Sequence, residues 1–102
     1  LRFCTGRPER VREKTARWII EEFGWDEGRL DWFIPEEGDT ACLSLMRKDG
    51  DHRNDTIVKP ELIKEAGIPL KNIMAVFEDR DSMVKKWREM GLLCLQVADG
   101  DF

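Results

Sequence analysis

Short apolar runs alternate with amphipathic stretches of helical period along most of the chain, and no other feature constrains its fold as strongly. Residues 1–4, Leu-Arg-Phe-Cys, read as a strand that ends in Thr5-Gly6. Pro8 then suits a first helical turn, and Val11, Thr15, Trp18, Ile19 and Phe23 recur at helical spacing until Gly24 stops the helix. Residues 41–46, Ala-Cys-Leu-Ser-Leu-Met, form a second strand, and residues 56–67 a helix whose first turn tolerates Pro60 and which Gly67 ends. Residues 72–77, Asn-Ile-Met-Ala-Val-Phe, are a continuous apolar run of the kind buried on both faces of a sheet. Met83, Val84, Trp87 and Met90 mark the next helix, residues 91–97 the last strand, and residues 98–102 a tail. Strands and helices in turn, with apolar strands, predict an α/β fold with a mainly parallel sheet. Residues 25–40 interrupt the order with Gly28, Pro35, Gly38 and many acids; they read as an irregular excursion whose Trp32, Phe33 and Ile34 cover part of the core.

The chain has 102 residues, so one domain over 1–102 is expected. It is 41% hydrophobic and 37% charged, which separates it from disordered chains. No apolar run approaches the roughly 20 residues of a membrane helix. The net charge of −4 argues against a broad nucleic-acid footprint and leaves room for a local basic pocket. Cys4, Cys42 and Cys94 stand far apart, with no C-x-x-C pair, and His52 is the sole histidine. Small buried thiols in a reducing, cytoplasmic compartment fit that usage, and a structural zinc site does not.

Open parallel sheets bind ligands at the carboxyl ends of their strands, and three polar clusters fall there. Thr5-Gly6-Arg7 follows the first strand, Arg47 and the loop 47–55 the second, and Glu78-Asp79-Arg80-Asp81 the third. A hydroxyl and successive amides at a strand-to-helix turn nest an anion, and an arginine beside them adds bidentate contacts. Adjacent carboxylates suit a hard cation such as Mg²⁺, and Lys59 at a helix start suits a phosphoryl group. Each cluster also has a plainer role: Thr5 as a helix cap, Asp79 or Asp81 as cap and helix-dipole partner, Lys59 as a solvated lysine, His52 as an exposed loop residue. Their common edge of the sheet favours the site. Residues 4–10 also satisfy C-x5-R, the phosphate loop of cysteine-dependent phosphatases. Pro8 supplies no amide there, and Glu9 sets a negative charge where phosphate would bind.

Residues 77–102 resemble the end of the phosphatase domain of bacteriophage-type polynucleotide kinase-phosphatases, members of the haloacid-dehalogenase-like (HAD) phosphohydrolases. The likeness rests on the acidic pair with arginine, the Trp-bearing helix, and Gly, Cys, Gln-Val-Ala and Gly-Asp-Phe in order. Residues 46–61 fit the family's Arg, Gly-Asp, Arg, Asp, Val-Lys and Glu, and Thr5-Gly6-Arg7 fits the second HAD motif. The resemblance implies a three-layer α/β/α Rossmannoid fold and a Mg²⁺-dependent phosphatase acting on a nucleic-acid 3′ end or a related phosphomonoester. It implies Thr5 and Lys59 as catalytic residues, and Gly6, Arg7, Arg47 and Asp55 around the phosphate and substrate. Asp79 and Glu78 would hold Mg²⁺, with Glu78 standing where the family commonly has aspartate.

The family's nucleophile and acid lie in D-x-D-G-T on a central first strand, and no such motif occurs in these residues. Together with a start at Leu1 inside an apparent strand, this predicts a partial domain whose nucleophile strand comes from elsewhere. Covalent transfer through aspartate would need that segment. The alternative is a non-catalytic HAD-like module that binds a phosphate or a partner protein.

Overall fold

A computed structural model describes residues 1–25, 30–31 and 41–102. The expected excursion, with Trp32, Phe33 and Ile34, lies outside the described residues apart from Trp25 and the short strand at 30–31. The chain forms two compact units, Leu1–Arg53 and Asn54–Phe102. None of the described helices is long and apolar enough to cross a membrane.

The first unit holds β1 (Arg2–Pro8), α1 (Arg12–Phe23), β2 (Leu30–Asp31) and β3 (Ala41–Arg47). Its sheet has the order β1-β3-β2, with every pairing parallel. β3 is central, so Ala41, Cys42, Leu43, Leu45 and Met46 are all buried, which explains a strand apolar on both faces. Ala16 and Ile19 of α1 pack with Leu30, Ala41, Leu43 and Met46. Phe3, Phe23 and Trp25 close one side, with the Phe23 and Trp25 rings stacked at 4.6 Å and Phe3 edge-on to both. Thr15 is buried without cost because its hydroxyl donates to the Val11 carbonyl at 2.9 Å.

Two local expectations shift. β1 continues through Pro8, a single 3₁₀ turn follows over Glu9–Val11, and α1 begins only at Arg12. Pairing with β3 holds the chain extended to Pro8, whose missing N–H costs little at the end of an edge strand. Trp18, expected in the core stripe, is half exposed, and so is Phe23. α1 ends as expected on Gly24, left-handed at φ 62°.

The second unit holds α2 (Asp55–Glu65), β4 (Val76–Glu78), α3 (Asp81–Glu89) and β5 (Cys94–Gln96). Asn54 caps α2, its side-chain oxygen accepting from the Thr56 amide at 2.9 Å. Pro60 therefore lies in the second turn, not the first. β4 and β5 pair in parallel, with α3 crossing between them. Met83, Val84 and Trp87 of α3 are buried, as the stripe predicts.

The run 72–77 is not a continuous buried strand. Leu70–Asn72 is a 3₁₀ turn, β4 begins only at Val76, and Met74 is 91% exposed. Residues 91–97 likewise contain only the three-residue β5. Phe77 and Leu95 are register partners, and both are exposed.

Candidate functional site

Thr5, Gly6, Arg7 and Arg47 belong to the first unit, and Asp55, Lys59, Glu78 and Asp79 to the second.

Between Thr5, opposite Met46, and Pro8, opposite Arg47, β1 advances three residues while β3 advances one. Gly6 and Arg7 therefore bulge from the ladder, a device that re-aims a strand near a functional site. The Thr5 Oγ1 accepts from the Arg7 amide at 3.2 Å and does not cap a helix. That bond uses an oxygen lone pair and leaves the hydroxyl proton for another acceptor. The Arg7 guanidinium lies 5.3 Å above the Trp18 ring, which gives Trp18 an exposed role. Residues 4–10 run as an extended strand and then a 3₁₀ turn, with Cys4 opposite Leu45. An extended strand does not wrap its amides around one centre, so the C-x5-R geometry is absent.

Arg47, at the end of β3, is a strut. Its Nε donates to the Gly6 carbonyl at 2.7 Å, and its Nη1 to the carbonyls of Asp51 at 2.9 Å and Arg53 at 2.6 Å. It thereby ties the 48–53 loop to the β1 bulge. Asp51 takes a fork from Arg53, at 3.0 and 2.9 Å. The Arg53 side chain and then its amide hold the Asp51 carboxyl well below the usual carboxylate range. Arg47→Met is expected to strip three carbonyls of a charged donor and to lower stability by about 2–3 kcal/mol. Urea unfolding checks this, and an unchanged midpoint would contradict the strut.

In the second unit Lys59 is buried, and its Nζ meets Glu78 Oε2 at 3.1 Å, each side chain being only 10% exposed. Trp87 Nε1 donates to the same oxygen at 3.3 Å. Glu78 Oε1 accepts from the amides of Asp79 at 3.2 Å and Arg80 at 3.4 Å. A carboxylate offers about four acceptor sites, and all four are engaged. This resolves the crowding of acids at 78–81, since Glu78 is turned inward as the hub that orients Lys59. Asp79 is exposed, and among the described residues no donor meets its carboxylate. Asp81 occupies the first turn of α3, where an acid suits the helix dipole, and Arg80 rather than Asp79 or Asp81 is the N-cap residue. Asp55 Oδ2 pairs with Arg80 Nη1 at 3.3 Å.

The donor set fits Mg²⁺ through Asp79. Mg²⁺ binds through one or two carboxylates, substrate phosphate and retained waters, and a free, exposed carboxylate meets that need. Glu78 fits less well, because a metal would have to displace a hydrogen bond from it. Among the described residues no group of three or more metal-ligating side chains is assembled.

Sequence reasoning missed the residues that hold the 78–81 loop. Gln96 Nε2 donates to the Asp79 carbonyl at 3.0 Å and to Asp81 Oδ1 at 2.6 Å. The Asp81 amide donates to the Gly100 carbonyl at 2.7 Å. The Arg80 guanidinium sits 5.0 Å over the Phe102 ring. Residues 98–102 therefore clamp the loop and are not a loose tail. The one signal was the ordered Gln-Val-Ala and Gly-Asp-Phe. Cys94 is buried, and burial pushes its thiol up, so it is inert packing.

Comparison with known proteins agrees with this architecture. The family model described as the polynucleotide kinase PNKP phosphatase domain matches residues 1–102. A chain in the solved structure of the Pnkp1/Rnl/Hen1 complex is 31% identical, with a TM-score of 0.75 over 99% of this chain and 30% of its own length. A chain in the structure of the Pnkp1/Rnl/Hen1 RNA repair complex is also 31% identical, with a TM-score of 0.71 over 99% of this chain and 28% of its own. The chain thus spans less than a third of the proteins it matches, and its parallel α/β units are similar to part of their fold. Motif order, parallel topology and a family match over every residue lead to one conclusion: the chain belongs to the HAD phosphatase family of the polynucleotide kinase PNKP phosphatase domain.

Proposed function

We propose that this chain is part of a Mg²⁺-dependent phosphomonoesterase that removes phosphate from a nucleic-acid 3′ end in the cytoplasm. Its aspartate nucleophile and acid come from a segment outside these 102 residues. The observation that carries the reading is the buried Lys59–Glu78 pair beside the free Asp79. Burying an ammonium is costly, and a fixed, desolvated cation is worth most where phosphoryl charge develops. The matched chain's place in an RNA repair complex supports a nucleic-acid substrate and assembly with repair partners. The free outer edge of β1 and the exposed Phe77–Leu95 face support a missing segment, since such edges and faces are normally covered.

In this reading the Thr5 hydroxyl and the Gly6 amide donate to non-bridging oxygens of the phosphate. Arg7, braced on Trp18, contacts the substrate, and Arg47 holds the bulge that presents these groups. Lys59, aimed by Glu78, neutralises charge on the nucleophile and the transferred group. Asp55 keeps Arg80 in place. Asp79 would hold Mg²⁺ together with retained waters, and the ion would supply charge neutralisation at the phosphate.

The test restores an N-terminal D-x-D-G-T segment and measures phosphate release from a 3′-phosphorylated oligonucleotide. Release that requires Mg²⁺, and that Cys4→Ser leaves within about twofold, is the expected result. Release without Mg²⁺ would overturn the reading. Phosphate binding without turnover would select a non-catalytic module instead, and loss on Cys4→Ser would select the cysteine mechanism.

A further inference from the structure

The first unit carries a cavity that shares only Gly6 and Arg47 with the residues of the proposed chemistry. It has a volume of about 300 Å³ and is lined by Gly6, Arg10, Arg47, Asp51, His52 and Arg53, with neither Thr5 nor Arg7 in its wall. Three arginines and one aspartate line it, in a chain whose net charge is −4. Both nearby carboxylates already accept hydrogen bonds. Asp51 is held by the Arg53 fork, and the Asp49 Oδ1 accepts from the Arg10 amide at 2.9 Å. Among the described residues no carboxylate pairs with the exposed Arg10 guanidinium. Such a pocket is made for an anion, and its volume exceeds the needs of a lone inorganic ion.

We infer that this pocket holds the internucleotide phosphodiester adjacent to the terminal phosphate of a single-stranded substrate. Arg10 is the phosphate contact, and His52 is a platform on which the neighbouring base stacks. The inference rests on the proposed phosphatase reading and extends it to the choice of a polynucleotide over a mononucleotide. Gly6 is the reason for joining the two. Its amide is proposed to face the terminal phosphate, while its residue forms part of the wall of this cavity. A strand entering at Gly6 would lay its next phosphate among the guanidinium groups. Arg47 already gives its hydrogens to three carbonyls, so it shapes the wall and contributes charge, while Arg10 is available for direct contact. The exposed imidazole of His52 suits stacking on an unpaired base.

Two measurements test the site. In the protein with its nucleophile segment, Arg10→Gln with His52→Gln should raise KM for a 3′-phosphorylated oligonucleotide by at least about tenfold. KM for a mononucleoside 3′-phosphate should stay unchanged, as should kcat for both. Equal effects on the two substrates, or none on either, would overturn the inference. Separately, a fluorescein-labelled oligonucleotide ending in a 3′-hydroxyl should bind the wild-type chain. Its salt dependence should flatten by about 0.7 in logarithmic slope on Arg10→Gln, the loss of one single-strand phosphate contact. No binding by the wild type, or an identical slope in the variant, would likewise refute the pocket. Absence of phosphate release from both substrates, with the binding result intact, would instead refute the phosphatase reading and leave the anion site standing.

Discussion

Gly100→Ala is expected to destabilise the second unit by about 3–4 kcal/mol and, in the protein with its nucleophile segment, to cut phosphate release by more than tenfold. A Cβ at this position would lie 1.9 Å from the Asp79 carbonyl oxygen, 2.6 Å from its carbon and 2.8 Å from the Arg80 Cα. All three atoms are backbone, so no side chain can rotate away. The glycine is required here by close approach, since its φ is not in the left-handed region. Either the tail retreats and loses the Asp81–Gly100 bond, or the Asp79 loop moves. Overpacking costs about 1–3 kcal/mol and a lost hydrogen bond about 1. A ligand displaced by about 1 Å can cost a hundredfold in rate. Urea unfolding and phosphate release both check this, with exposed Asp101→Ala as a neutral control. An alanine variant with wild-type stability and rate would show that the clamp does not exist.

In the protein with its nucleophile segment, Lys59→Met should reduce phosphate release by about 10²–10³-fold and cost about 3 kcal/mol of stability. Methionine keeps the buried stem and removes the charge, so packing survives while Glu78 Oε2 loses its strongest partner. Breaking a buried pair costs about 3–5 kcal/mol. The lower end applies because Trp87 and two amides still serve the carboxylate. Glu78→Gln strands the ammonium instead and should cost a similar amount. The double variant should then be more stable than the sum of the two by about 2 kcal/mol, which a double-mutant cycle reads directly. Additive losses would mean that the two side chains do not act as a pair. In activity Lys59→Met alone should be about as low as the double variant, because Glu78 acts through Lys59.

The α/β class and the strand–helix order were legible because burial imposes a period. The β3 stretch is apolar on both faces because Ala41, Leu43 and Met46 pack with α1 and the alternate Cys42 and Leu45 are buried as well, and the α3 stripe lies at helical spacing because one face packs inward. The same rule misled at 72–77. An apolar run signals burial only where something covers both faces. α3 packs its Met83–Trp87 stripe inward, yet Met74, Phe77 and Leu95 are exposed. The start of α1 was misplaced because ladder pairing to β3 outweighed the preference of Pro8 for a first turn.

Residue types at strand ends were enough to nominate Thr5 and Asp79, and a lysine at a helix start to nominate Lys59, since phosphate and Mg²⁺ call for those chemistries. Which acid turns inward was not legible. Glu78 and Asp79 are adjacent and chemically alike, and only the positions of Lys59 and Trp87 make one a hydrogen-bond hub and leave the other free. The requirement for Gly100 was equally hidden, because it arises from a backbone 21 residues away in sequence that packs against it. Period along the chain determines the order of strands and helices, since that depends on neighbours in sequence, but not where each begins and ends. Partners brought together by folding decide which side chains are spent on structure and which stay free for chemistry.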